Sequence, residues 1–262
     1  MAKIIAVTNQ KGGVGKTTTC VNLAASLAAM KRKVLLIDLD PQGNATTGSG
    51  VIKSELTTSV FDVLVGTHGI KQCIIDIEIA GYSILPANGD LTGAEVVLLD
   101  LPNKETRLRS ALYEIEQEYD FILLDCPPSL NMLTVNALAA SNGVLIPVQC
   151  EYYALEGLTA LLQTIERITE SLNPALTIEG ILRTMYDPRP SLTYDVSEQL
   201  TKHFADKVYD TVIPRNIRLA EAPSYGLPIL NYEKESRGAI AYLALAGEFI
   251  RKNRVNANTT LI

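Results

Sequence analysis

Two hydrophobic periodicities alternate along the chain. Lys3 to Thr8 is a nearly unbroken apolar run rich in β-branched residues, the pattern of a strand buried on both faces. From Thr17 to Met30 the spacing changes to a helical one, with Val21, Ala24, Ala25 and Ala28 on one stripe, and Lys33 to Asp38 is again a strand. These three segments predict a βαβ unit. Leu108, Leu112, Ile115 and Tyr119 predict a helix leading into an apolar strand, Phe121 to Leu124, that ends on Asp125. Strands are expected at Gly143 to Val148, Ile178 to Thr184 and Val208 to Ile213. Helices are expected at Leu155 to Leu172, at Ser191 to Phe204 and at Ser236 to Lys252, the last with Ile240, Leu243 and Ala246 inward.

Strands that are apolar throughout and alternate with helices indicate an α/β fold, a mostly parallel twisted sheet covered by helices on both faces. Ligands of such sheets gather at the carboxyl ends of the strands. No repeat or Ser/Gly linker interrupts the pattern, so a single domain over residues 1–252 is expected, followed by a polar tail over 253–262.

Composition narrows the class. With 262 residues, 47% of them hydrophobic, the chain can bury a sizeable core, and it has neither a run of 18 apolar residues nor a signal-peptide pattern. A cytoplasmic protein is the expectation. Cys20, Cys73, Cys126 and Cys150 form no C-x-x-C pair and have no neighbouring histidine, so buried reduced thiols are expected. His68 and His203 are isolated and receive no role. The net charge of −6 argues against a polyanionic partner, but the average hides an asymmetry. Residues 1–179 hold 12 Lys/Arg against 20 Asp/Glu, whereas residues 180–262 hold 11 against 9. The asymmetry leaves room for a basic surface at the C-terminal end.

The chemistry begins between the first strand and the first helix, in the stretch NQKGGVGKTTT that starts at Asn9. Gly15-Lys16-Thr17 completes a phosphate-binding loop pattern, although Gln10 stands where its first glycine belongs. Gly12, Gly13 and Gly15 let backbone N–H groups converge on phosphate oxygens, and Thr17 and Thr18 open a helix whose N-terminus favours an anion. Lys16 would reach the β- and γ-phosphates, and the Thr17 hydroxyl would ligate Mg²⁺. Asp125, at the end of its strand, fits the second acid of such sites, holding Mg²⁺ through water. Asp38 and Asp40 lie in the run Asp38-Leu-Asp-Pro-Gln-Gly-Asn44, a turn able to respond to the γ-phosphate. Asp40 is the better candidate to orient the attacking water, since Asp38 still belongs to the strand. Lys11, a second lysine five residues before Lys16, has no place in the simple pattern.

With these motifs in this order, and with Asp125-Cys-Pro-Pro-Ser129, the chain resembles the ParA/Soj partition ATPases, of the deviant Walker A class of P-loop NTPases that also contains MinD. The likeness continues through Pro147 to Gly157, Thr184 to Arg189 and Val212 to Ser224, covering nearly the whole chain. The resemblance implies an ATP-sandwich homodimer in which Lys11 of each subunit reaches the phosphates held by the other, with Gly12 at the close contact. It implies a phosphate cradle over Lys11, Gly12, Gly13, Val14, Gly15, Lys16, Thr17 and Thr18, with Lys11, Lys16 and Asp40 as the catalytic set. Met185, Pro214 and Asn216 match positions near the adenine, and Arg189 and Arg218 match contacts to non-specific double-stranded DNA. Mg²⁺ with ATP, a ParB-like centromere-binding partner and a nucleoid-associated location follow from the same likeness.

The first strand begins at Lys3, so an operator-reading helix-turn-helix ahead of it is not expected. The alternative is a MinD-like positioning ATPase recruited to a membrane by a C-terminal amphipathic helix. The segment Ser236 to Lys252 is alanine-rich with its basic residues at one end, which favours packing on the sheet and no stable membrane association. An iron–sulfur reductase on this scaffold would need cysteines at the dimer face, where only Cys126 and Cys150 stand near strand ends.

Overall fold

The computed structural model describes residues 1–259; residues 260–262, the end of the expected tail, lie outside the described residues. Among the described residues seven strands form one sheet: β1 (Lys3–Val7), β2 (Val34–Asp38), β3 (Ile75–Ile77), β4 (Tyr82–Leu85), β5 (Phe121–Asp125), β6 (Gly143–Gln149) and β7 (Thr177–Thr184). Their order is β3-β4-β2-β5-β1-β6-β7. Neighbours run parallel except at the edge, where the short β3 pairs antiparallel with β4. Twelve helices are described: α1 (Lys16–Ala29), α2 (Asn44–Gly48), α3 (Val60–Val65), α4 (Ile70–Cys73), α5 (Ala94–Leu99), α6 (Arg107–Leu112), α7 (Met132–Ala140), α8 (Ala154–Ser171), α9 (Ser191–Phe204), α10 (Ile217–Glu221), α11 (Ile229–Tyr232) and α12 (Arg237–Thr259).

The central strands are buried on both faces because alternate side chains feed two separate cores. Ile4, Ala6, Leu35, Ile37, Ile122 and Leu124 join the core under α3 to α8. Ile5, Val7, Leu36 and Leu123 face the opposite way, into the core under α1 and α12. That division is the period of two expected of a strand covered on both sides. Phe121 and Phe249 lock α12 to β5 with ring centroids 5.2 Å apart in an edge-to-face pair. Burial of such a phenyl ring stabilises the fold by about 2–3 kcal/mol.

Three expectations need correction. Val208 to Ile213 is not a strand; it meets β7 at one isolated bridge, Ile181 to Val208, and through the Tyr209 and Ile213 N–H groups, which donate to the Ile181 and Arg183 carbonyls, while a second bridge, Tyr186 to Pro214, lies just beyond both segments. The reason is a competing acceptor: Glu248 on α12 accepts from the N–H groups of Asp210 (2.9 Å) and Thr211 (3.0 Å). Arg183 in turn donates to the carbonyls of Tyr209 and Asp210, so the polar groups at the middle of the segment are satisfied outside a ladder and the pairing with β7 is interrupted there. The closing helix runs to Thr259, well past Lys252, and its buried stripe is Ala239, Tyr242, Leu245, Ala246 and Phe249. Ile240, one residue off that stripe, is 58% exposed. The helix expected around Leu108 to Tyr119 stops at Leu112 and continues as turns, although Leu108, Leu112 and Ile115 are all buried.

Candidate functional site

The loop after β1 crosses the carboxyl ends of three adjacent strands, where Val7, Asp125 and Asp38 stand side by side in register. Gly13 (φ +72°) and Gly15 (φ +89°) take left-handed conformations that an L side chain resists. Gly15 caps α1 without a side-chain hydrogen bond, and the first turn of α1 carries no acid. The N–H groups there are left to an anion. Space on the outer side of Gly12 and Gly13 is open: a Cβ at either would meet nothing within 4 Å. The loop is pinned from behind. Thr184 Oγ1 donates to the Val14 carbonyl (2.7 Å), Asn9 Nδ2 donates to the Pro147 carbonyl (2.8 Å), and Lys11 N–H donates to Asn9 Oδ1 (3.0 Å).

Over this loop lies a cavity of about 1060 Å³. Gly12, Gly13, Gly15, Lys16, Thr17, Thr18, Asp40, Met185, Pro214 and Asn216 all line it, so the structure brings together the loop, switch and adenine-side residues singled out in the sequence. Val14 is buried behind the loop, and Asp125 is buried beneath it.

The two lysines have opposite environments. Lys16 is 7% exposed, and its Nζ donates to the Lys11 carbonyl at 3.2 Å, curling back over its own loop. Burial lowers its pKa, opposed by the nearby Asp125, Cys126 and Asp40. Lys11 points the other way and pairs with Glu151, just past β6, at 2.6 Å, with side-chain exposures of 40% and 48%.

The three acids also separate. Asp38 is fully buried, and Oδ2 accepts from the Thr46 N–H (2.8 Å) and hydroxyl (2.7 Å) while Oδ1 accepts from Asp40 N–H (3.2 Å). Burial pushes its pKa up to about 6 even though these donors hold it down. Thr46 Oγ1 also accepts from Ala87 N–H (2.9 Å), so Asp38 anchors the turn instead of facing the cavity. Asp40 stands at the cavity edge with Oδ1 accepting from Gln42 N–H (2.9 Å). Asp125 is fully buried; Cys20 Sγ donates to its Oδ1 (3.6 Å), and its Oδ2 has no hydrogen-bond partner. Burial first, and then the charge of Asp38, raise its pKa well above the ordinary carboxylate range.

On the far side of the cavity Met185 adopts φ +47°, an uncommon conformation for a side chain of its size. Hydrogen bonds from Tyr186 N–H to the Ile213 carbonyl (2.9 Å) and from Arg215 N–H to the Tyr186 carbonyl (3.3 Å) hold the next residue and fix the turn. Asn216 caps α10, its Oδ1 accepting from Leu219 N–H at 3.3 Å. Arg189 and Arg218 lie outside the cavity lining, and each is held by an acid of its own chain. Arg189 makes a two-point contact with Asp187 (2.8 and 2.6 Å), and Arg218 pairs with Glu221 (2.8 Å).

The cavity has further walls that sequence reasoning did not find, among them Thr92, Glu95, Asn131, Arg215 and Tyr242. Asn131 had a legible signal, since it precedes an apolar helical run and caps α7 by accepting from Thr134 N–H. Thr92 and Glu95 come from a region of short elements with no clear period.

A family model described as an AAA domain matches residues 2–178. The chain is 54% identical to the sporulation initiation inhibitor protein Soj of Bacillus subtilis, over 95% of this chain and 98% of that one. It is 50% identical to the chromosome partitioning protein ParA of Caulobacter vibrioides, over 96% and 95%. The chain belongs to the ParA/Soj family of partitioning ATPases. Among solved structures, the ParA/Soj fold seen here is also similar to a cobyrinic acid a,c-diamide synthase from Mycobacterium smegmatis with bound ADP and magnesium, at 37% identity and a TM-score of 0.85 over 97% of this chain and 96% of that one. All four cysteines of this ParA/Soj chain are buried, Cys126 and Cys150 included, which gives a bridging cluster no thiols at the surface.

Proposed function

We propose that this protein is an ATP-driven DNA-partition ATPase whose ATP-bound form is a sandwich dimer that binds DNA without sequence preference and releases it on hydrolysis. The observation that carries the reading is the divergence of the two loop lysines. Lys16 is folded over its own anion site, whereas Lys11 leaves that site for the rim. A lysine built into the phosphate loop but turned away from it suits the phosphates of a second subunit, with Gly12 at the contact. A cation arriving in a dry interface stabilises charge spread over the transferring phosphoryl group.

ATP is the substrate. Gly12 to Thr18 would cradle its phosphates, with Met185, Pro214 and Asn216 beside the adenine. Magnesium fits the donors present: the unpartnered Asp125 Oδ2 and the Thr17 hydroxyl are hard oxygen ligands. Among the described residues no cluster of three His, Cys, Asp or Glu could hold a metal by itself, so the ion would arrive with the phosphates, which Thr17 would share directly and Asp125 through water. When bound it would neutralise phosphate charge. Asp40 orients the attacking water from the cavity edge.

DNA contact is assigned to Arg189 and Arg218, with a ParB-like partner accelerating turnover on the nucleoid. Both arginines are neutralised locally by Asp187 and Glu221, so a monomer offers little net positive charge and affinity depends on placing two copies side by side. Membrane recruitment is disfavoured by α12, whose apolar stripe is spent against α1 and the sheet. Among the described residues no helix is long and apolar enough to cross a membrane.

Light scattering coupled to size exclusion tests the dimer. Mass should double with ATP or a slowly hydrolysed analogue and not with ADP, and Lys11→Ala should stay monomeric in both. A Lys11→Ala protein that dimerises normally with ATP would remove the cross-subunit role.

A further inference from the structure

Cys20 reads in the sequence as one more buried thiol, yet its position is unusual for a space-filling residue. It lies on the second turn of α1, directly behind Lys16 and Thr17, and is fully buried. Its Sγ reaches Asp125 Oδ1 at 3.6 Å, and no other side chain donates a hydrogen bond to that oxygen among the described residues. The backbone around Asp125 is committed elsewhere: its carbonyl accepts from Leu39 N–H, and Cys126 N–H donates to the Val7 carbonyl. The Thr17 hydroxyl also approaches the carboxylate and lowers its pKa, so its rotation is set by the thiol on Oδ1 together with Thr17. The oxygen left over, Oδ2, is buried without any hydrogen-bond partner.

We propose that Cys20 is a positioning residue that fixes the Asp125 carboxylate, holding Oδ1 so that Oδ2 is presented, unsatisfied, to the magnesium that accompanies ATP. This rests on the reading of Asp125 as a metal-side acid. An unpartnered buried oxygen is costly unless something polar arrives to meet it. A carboxylate free to rotate would relieve that cost by turning Oδ2 toward another donor, and the thiol on Oδ1 opposes that turn. A thiol suits the role because it is a weak donor that packs as a small apolar group. It orients the carboxylate through Oδ1 and leaves Oδ2 for the ion.

The test compares Cys20→Val, which fills the volume without a donor, with Cys20→Ser, which keeps a donor. Affinity for a non-hydrolysable ATP analogue is measured by calorimetry with Mg²⁺ and with EDTA, alongside the thermal melt of each nucleotide-free protein. Loss of one orienting hydrogen bond predicts that Cys20→Val cuts the magnesium enhancement of affinity by about 5-fold while leaving the EDTA affinity within about 2-fold of wild type. Cys20→Ser should restore the enhancement. Cys20→Ala, with a cavity in place of the thiol, should lose the enhancement as Cys20→Val does, so a fold defect in one variant does not decide the result. Enhancement that is strong in wild type and unchanged in Cys20→Val and Cys20→Ala would overturn the positioning role alone. No magnesium enhancement in wild type, or a normal one in Asp125→Ala, would overturn the metal-side reading and the proposal with it.

Discussion

Glu151 should act as a brake on dimerisation. In the single chain it holds Lys11 at 2.6 Å, and in the proposed sandwich Lys11 must leave it for the partner's ATP. Coulomb's law in water gives about 1.6 kcal/mol for unit charges at that separation. Both side chains are more than a third exposed, so salt and the cost of ordering two flexible chains reduce this to about 0.2–1 kcal/mol per pair. A dimer breaks two such pairs. Glu151→Gln keeps the backbone hydrogen bonds of the turn, which the Glu151 N–H and carbonyl make with Gln149 and Ala154, and removes only the charge. The ATP-bound dimer should therefore form with a Kd roughly 2- to 30-fold lower than wild type. Sedimentation velocity across a protein dilution series, with a slowly hydrolysed ATP analogue at 50 and 500 mM salt, measures it, and the advantage should shrink at the higher salt. In a Lys11→Ala background the substitution should do nothing. A Kd that is unchanged at low salt, or a benefit that persists without Lys11, would refute the brake.

Other consequences follow from the same geometry. Lys16→Ala should abolish ATP binding by calorimetry, and any retained ATP-dependent dimer would count against its assignment. Asp40→Ala should lower phosphate release about 100-fold while leaving ATP-bound dimers on DNA, and ordinary turnover would move the water-orienting role elsewhere. Thr46→Val removes two donor–acceptor links, to Asp38 and from Ala87, and should cost about 3 kcal/mol, lowering the melting temperature by roughly 6–12 °C. Burial raises the pKa of Glu248, but hydrogen bonds from Thr211 and Asp210 outweigh it and leave the group below its ordinary 4.5. A depressed acid stabilises the fold above its unfolded pKa and loses that contribution as pH falls through the folded one. Glu248→Gln should thus cost about 2 kcal/mol in urea melts at pH 7 and progressively less as pH falls through the glutamate's folded pKa; a cost independent of pH would contradict it.

The parallel core of the sheet was legible because β1, β2, β5 and β6 are almost wholly apolar, β2 and β5 end on Asp38 and Asp125, and β7 keeps Ile178, Ile181 and Leu182 around Glu179 and Arg183. The strands β3 and β4 were not, since three- and four-residue strands between short helices leave no period to read. At Val208 to Ile213 the local apolar pattern is right for a strand, yet a carboxylate 35 residues or more away takes two of its N–H groups. Sequence spacing cannot register such a long-range competitor. The phosphate loop was legible from glycine and lysine spacing alone. What the spacing concealed is where charges rest before a ligand arrives: Lys11 on Glu151, Arg189 on Asp187 and Arg218 on Glu221. Cys20 was hidden for the same reason, because its meaning lies in a contact with a residue 105 positions away.

In the proposed cycle ATP, by joining two chains, turns a weakly charged surface into a DNA-binding one. Binding of a fluorescent, sequence-random duplex should be measured with ATP, with ADP and without nucleotide across a salt series. Binding should be tight with ATP alone, weaken steeply as salt rises, and show a shallower salt slope in Arg189→Ala and Arg218→Ala. Equal affinity in all three nucleotide states, or binding that ignores salt, would contradict it.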